Sequence, residues 1–287
     1  MANVFWGCTF VAYKIANISL EPLAIVFIRL MISIPFLFLF AWLSGRMMKI
    51  RKEDFKLIIL LAIAEPFVYF IGEAFGLSLV SSTMGAIIIS TIPLFMPIAA
   101  YLFLRERLSL TNIIGLIISF GGVIMVVLAS EGKFSGNIKG ILLMFFAVLS
   151  AVAYTIFAKK LIHRYNGIII TAWQSTLGAI MFLPLFLIFE VDRIDITSIS
   201  PDSFWSVLYL AIFGSGLCFI LFTYGLRELG ASKANVFANL IPVVTAILSF
   251  FLLKEAMPLV KILGIVVVLV GLFLTQMSSF KRANRSK

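Results

Sequence analysis

The chain has 287 residues, 62% of them hydrophobic and 13% charged, with a formal net charge of +10 and a mean hydropathy of +1.14. A soluble domain is nearer a quarter charged, so a chain this apolar takes lipid as its main solvent. That excludes a soluble catalytic domain. It also excludes a nucleic-acid-binding role, which needs a soluble basic surface, and the excess of Lys and Arg reads as the topological bias of membrane proteins.

Apolar runs separated by short polar breaks predict an all-α polytopic membrane protein. Its ten transmembrane helices cover 3–18, 22–44, 57–77, 81–104, 109–129, 137–158, 167–189, 203–225, 232–253 and 258–279. The runs are long and continuous, without the alternation of barrel strands. With the N-terminus in the cytoplasm, inside loops and the tail hold 16 of the 23 Lys and Arg residues and outside segments hold six. The acids Glu190, Asp192, Asp195 and Asp202 lie in the longest outside loop. The positive-inside rule therefore expects both termini in the cytoplasm of a bacterial inner membrane.

The first span is short: its apolar run from Val4 to Tyr13 ends at Lys14, and no basic residue precedes it as a cleaved leader would require. The second span carries Arg29, and the third carries Glu65 and Glu73 with Tyr69 between them. Charges inside spans are costly and mark candidate sites. The two carboxylates are eight residues apart, about 80° around an ideal helix, with Pro66 as a candidate kink between them. Two acids and one Arg leave one carboxylate without an obvious cation. That group takes a proton, or a cation that comes and goes. The bland alternative is a structural network holding the second and third helices together, and for Arg29 the structural reading is favoured.

Pro93 in the fourth helix and Pro242 in the ninth are expected mid-helix, as gating bends or static kinks. Gly115 with Gly122, and Gly264 with Gly271, place small residues on one face of the fifth and tenth helices, for close packing within the chain or in a homodimer. Tyr69 in the third helix, Tyr154, Trp173 and Gln174 in the sixth and seventh, and Phe219 and Tyr224 in the eighth are candidates for an aromatic, moderately polar pocket. Asn235 and Asn239, four apart in the ninth helix, offer a polar wall or an interhelical hydrogen bond. Glu106 and Glu255 follow helix C-termini, where a negative charge needs a compensating partner.

An internal repeat organises these positions. A shift of 149 lays Gly76 on Gly225, Pro93 on Pro242, Glu106 on Glu255, Gly115 on Gly264 and Gly122 on Gly271, while a shift of 145 lays Lys14 on Lys159 and Arg29 on Gln174. Each repeat holds five spans, an odd number, so the second enters the membrane upside down. The expected units are residues 1–133 and 134–280, followed by a basic cytoplasmic tail, 281–287.

The motif W-G-x-x-F-x-x-x-K (Trp6, Gly7, Phe10, Lys14), the pair Pro22 and Arg29, and the segment L-x-E-R-L-S (Leu104 to Ser109) followed by G-x-x-x-x-x-x-G resemble the EamA-type repeat. The chain is similar, over nearly its whole length, to EamA-type proteins of the drug/metabolite transporter superfamily. The resemblance implies ten helices around a central cavity near the middle of the membrane. The expected function is a secondary transporter that moves a small organic metabolite, amino-acid-like or similar, by alternating access, as an exporter or an importer; the resemblance itself fixes no substrate, because members carry amino acids, nucleotide-like compounds and other metabolites in either direction. A channel or scaffold is the alternative. An enzyme is not expected: there is one histidine, and no HExxH, GxSxG or P-loop motif. No cofactor or metal is expected, and Cys8 and Cys218 lie in apolar runs that suggest neither a disulfide framework nor a metal site.

Overall fold

The computed structural model describes residues 1–104, 110–129, 137–229, 231, 234, 238 and 240–285, and no strand occurs among them. The helices are α1 (Ala2–Ala16), α2 (Pro22–Leu43), α3 (Lys52–Ala62), α4 (Tyr69–Leu79), α5 (Ser82–Ile89), α6 (Ile92–Leu104), α7 (Leu110–Ala129), α8 (Ile138–Leu161), α9 (Gly167–Phe189), α10 (Pro201–Tyr209), α11 (Cys218–Leu229), α12 (Leu240–Leu252) and α13 (Leu259–Arg285). Six stretches are long and apolar enough to cross a bilayer: 22–43, 52–79, 82–103, 138–161, 167–189 and 201–228. Shorter apolar helices cover 113–122, 240–252 and 259–271. The protein is thus a polytopic membrane protein. Its exposed Leu, Ile and Phe side chains, such as Phe103, Ile188, Phe251 and Phe273, are the surface that lipid covers. α1 has 15 residues, about 22 Å of helix, as the short first run foretold.

Three spans are not continuous α-helices. α3 and α4 are joined by a wide-turn segment, Ile63–Val68, in which Glu65 takes an extended backbone next to Pro66. α10 and α11 are joined by a second wide-turn segment, Leu210–Leu217. α5 stops at Ile89, and α6 restarts at Ile92 after a turn at Ser90 and Thr91. Pro93 is therefore the second residue of a new helix and not a mid-helix kink. The expectation of a mid-helix proline is corrected for Pro93: a first-turn residue needs no intrahelical N–H partner, so proline costs little there. Pro242 is the third residue of α12 as described, and the residue before that helix, 239, lies outside the described residues.

Among the helix pairs, α7 packs along α13, α2 on α9, α4 on α8 and α1 on α12. The glycine stripes drive the first contact. A Cβ added at Gly122 would stand 2.6 Å from the Val268 nitrogen and 2.8 Å from the Gly264 oxygen, and one at Gly271 would meet the backbone of Ser119 and Gly115. The stripes face each other within one chain, so they are not free to make a homodimer. Gly7 does the same work between α1 and α12, where its Cβ would meet Val244 at 2.7 Å and its carbonyl accepts from Thr245 Oγ1 at 2.7 Å.

Polar groups tie the bundle at two ends. At one, Glu255 accepts from the Ser82 amide (2.9 Å), Thr83 Oγ1 (2.7 Å) and Lys261 Nζ (3.4 Å). The carboxylate thus sits at the N-terminus of α5, where the helix dipole favours it, and this partnering is the compensation expected for it. At the same end, Glu190 accepts from the Leu23 and Ala24 amides that open α2. Burial pushes the Glu190 carboxyl up from its ordinary range, and the two amides pull it back. At the other end, Tyr165 donates to Asp54 at 2.7 Å and accepts from the Arg51 amide, and Arg164 pairs with Asp54.

Candidate functional site

The break in the third span sets the site. Glu65 lies thirteen residues from the start of the 52–79 stretch and fourteen from its end, so its carboxylate enters the bundle near the middle of the apolar layer. An extended residue there turns the side chain off the helical phase, and Ser150 on α8 donates to the neighbouring Ala64 carbonyl at 2.5 Å. Around this break lies a cavity of about 60 Å³, counted for water centres, which holds several waters or one compact organic group. α1 supplies Asn3, Trp6, Thr9 and Phe10 to its wall, α2 supplies Arg29, and α4 supplies Tyr69, Phe70 and Glu73. Tyr154 and Thr155 from α8, and Phe219 and Phe222 from α11, complete it with Gly214, Ala238 and Ile241.

Arg29 is committed on three sides. Its Nη1 lies 3.6 Å from Glu73 Oε2, its Nε donates to Ser215 Oγ at 3.0 Å, and its guanidinium carbon sits 3.6 Å from the centroid of Phe70. The Tyr69 hydroxyl donates to Glu73 Oε1 at 3.0 Å. Buried Arg–carboxylate pairs persist when the remaining polar atoms are also satisfied, and here Ser215, Tyr69 and the Phe70 ring do that. Glu65 is different. It is 6% exposed and opens on the cavity, with no hydrogen-bond or ion-pair partner among the described residues; Arg29 and Glu73 act on it only at longer range.

Four buried side-chain atoms meet no partner at hydrogen-bond distance among the described residues: the Tyr154 hydroxyl on the cavity, and Gln174 Oε1, Ser119 Oγ and Ser249 Oγ outside its lining. Gln174, expected on the pocket wall, does not line the cavity. Four rings close one side: Trp6 meets Phe219 and Phe222, both at 5.4 Å between centroids, and Tyr154 meets Phe219 at 5.8 Å.

The structure brings together Arg29, Glu65, Tyr69, Glu73, Tyr154 and Phe219 from the residues singled out in the sequence. Trp173 is corrected: it lies outside the cavity, edge-on to Phe38 and Phe55. Tyr224 points away and is 65% exposed. Asn235, Asn239 and Glu106 lie outside the described residues. Sequence reasoning missed Asn3, Thr9, Ser215 and Phe222. The polar positions in so short a first helix were the available signal for the first two. Among the described residues no cluster of His, Cys, Asp and Glu suits a metal ion.

The EamA-like transporter family matches residues 1–128 and 138–277. An uncharacterized transporter of Archaeoglobus fulgidus is 32% identical over 270 residues, covering 94% of each chain. The uncharacterized transporter YoaV of Bacillus subtilis is 25% identical over 98% of this chain and 96% of its own. A crystal structure of another protein, 15% identical, aligns with a TM-score of 0.73 over 98% of this chain and 95% of that one, a likeness of fold.

Proposed function

The chain belongs to the EamA-like transporter family and is a membrane transporter; from that premise we propose that it is a secondary carrier moving a small organic metabolite by alternating access, in the export direction, across an inner membrane. Ten helices form two inverted halves, residues 1–133 and 134–280, with both termini and the basic tail 281–287 in the cytoplasm. The sequence repeat supports this, as do the wide-turn segments at 63–68 and 210–217, which fall about one repeat apart. Broken helices beside a midplane cavity are the usual means by which carriers expose polar groups to substrate.

One observation carries the reading: helices from both halves enclose a cavity that holds an Arg29–Glu73 pair and a separate carboxylate, Glu65. Arg29 serves to hold Glu73 and the second helix in place. Glu65, with Tyr69 and Tyr154, meets the substrate or the coupling ion, and the break before Pro93, with Pro242 as its repeat counterpart, lets the halves rock. Purified protein in proteoliposomes tests the carrier cycle. Saturable uptake with accelerated counterflow supports it, and flux that rises linearly with concentration refutes it in favour of a channel. Replacing Glu65 or Glu73 with Gln alters the pH dependence of that uptake; if both variants transport like the parent at every pH, the coupling role is wrong.

A further inference from the structure

We propose that the cavity selects an organic ammonium: a compact amine with an apolar or aromatic body and no free carboxylate. The inference rests on the carrier reading for its biological use, although the binding site itself is argued from geometry alone.

Glu65 has no hydrogen-bond or ion-pair partner among the described residues, and beside it on the cavity the Tyr154 hydroxyl, 2% exposed, meets no partner at hydrogen-bond distance. The cation at the cavity, Arg29, is occupied by Glu73, Ser215 and the face of Phe70. A carboxylate or phosphate entering the cavity would thus meet a second carboxylate, with no disengaged cation to receive it. An ammonium brings three N–H donors and a positive charge, which answer the Glu65 carboxylate and the Tyr154 oxygen together. The rings of Trp6, Phe219 and Phe222 stand on the same cavity beside Tyr154. Aromatic faces attract a cation through their quadrupole and attract its hydrocarbon body by burial, so one wall serves both ends of such a ligand. A cavity of about 60 Å³ for water centres further restricts the ligand to a compact one, or requires the halves to part around a longer one.

The test is calorimetric binding to the full chain in detergent, with three probes of similar shape: 2-phenylethylammonium, 2-phenylethanol and 3-phenylpropionate. The expected result is that the cation binds at least tenfold more tightly than the alcohol, and that the anion binds least. Glu65→Gln lowers cation affinity at least tenfold and leaves the alcohol within threefold, while Glu65→Asp, which keeps the charge, retains part of the cation preference. Equal or tighter binding of the alcohol or the anion by the parent overturns the proposal, and so does cation binding that survives Glu65→Gln or binding of none of the three. The parent's selectivity decides the matter even if Glu65→Gln fails to fold. Flux is measured separately: cation binding without saturable transport sinks the carrier reading and leaves the ammonium site standing, whereas saturable transport with anion preference does the reverse.

Discussion

Removing one member of the Arg29–Glu73 pair is expected to cost far more than removing both. The groups are 5% and 10% exposed and 3.6 Å apart. At an effective dielectric of about 20, Coulomb's law gives about 5 kcal/mol of gross attraction at that separation. Desolvation offsets much of this, so the pair adds little net stability, while an orphaned partner carries the full penalty, about 3–5 kcal/mol. Arg29→Met strands Glu73 with only the Tyr69 hydroxyl, and Glu73→Gln strands the guanidinium with Ser215 and Phe70. Each single variant therefore loses about 3–5 kcal/mol, and the double variant loses no more than either, for a coupling energy of about 3–5 kcal/mol. Reversible unfolding in bicelles, read as a double-mutant cycle, measures it. Additive losses, with coupling under about 0.5 kcal/mol, would refute the assignment of Glu73 as the structural carboxylate, and with it the argument that Glu65 is the free one.

At the α7–α13 contact, Gly122→Ala drives a methyl into the backbone of Val268 and Gly264. It should lower stability by about 1–3 kcal/mol, seen as earlier loss of the monodisperse peak on heating in detergent; an unchanged midpoint would contradict the close packing. Glu255→Ala removes the cap on α5 and the partner of Lys261. It should cost about 1–2 kcal/mol and raise the labelling rate of a cysteine placed at the exposed Leu79, and equal labelling would argue that this end is not latched. Burial, and then its hydrogen bond to Asp54, push the Tyr165 hydroxyl above its ordinary range. A folded-state value above the unfolded one means this contribution is full below about pH 10 and is lost as pH rises through the folded value. Tyr165→Phe should therefore show a flatter alkaline stability profile than the parent, and parallel profiles would count against the contact.

On an ideal helix Glu65 and Glu73 differ by about 80°, so either could face Arg29. The extended backbone at Glu65 resets the phase, and Glu73 alone reaches the guanidinium. The mid-helix expectation for Pro93 failed in a related way. Proline spacing says that a helix is disturbed, but whether it bends or ends depends on what its neighbours satisfy, and here α5 ends and α6 begins.

Composition and charge alone determined that the chain lives in lipid, roughly where most spans run, that two acids and one arginine must share their interior, and that paired glycines require close helices. These follow from local quantities: hydrophobic run length, charge count and the size of a side chain. Tertiary structure alone decided which acid is paired, that Trp173 faces away while Trp6 and Phe222 wall the cavity, and that the glycine stripes meet inside one chain. Those are relations between helices distant in sequence, set by breaks and rotations of a few residues that no run length or periodicity encodes.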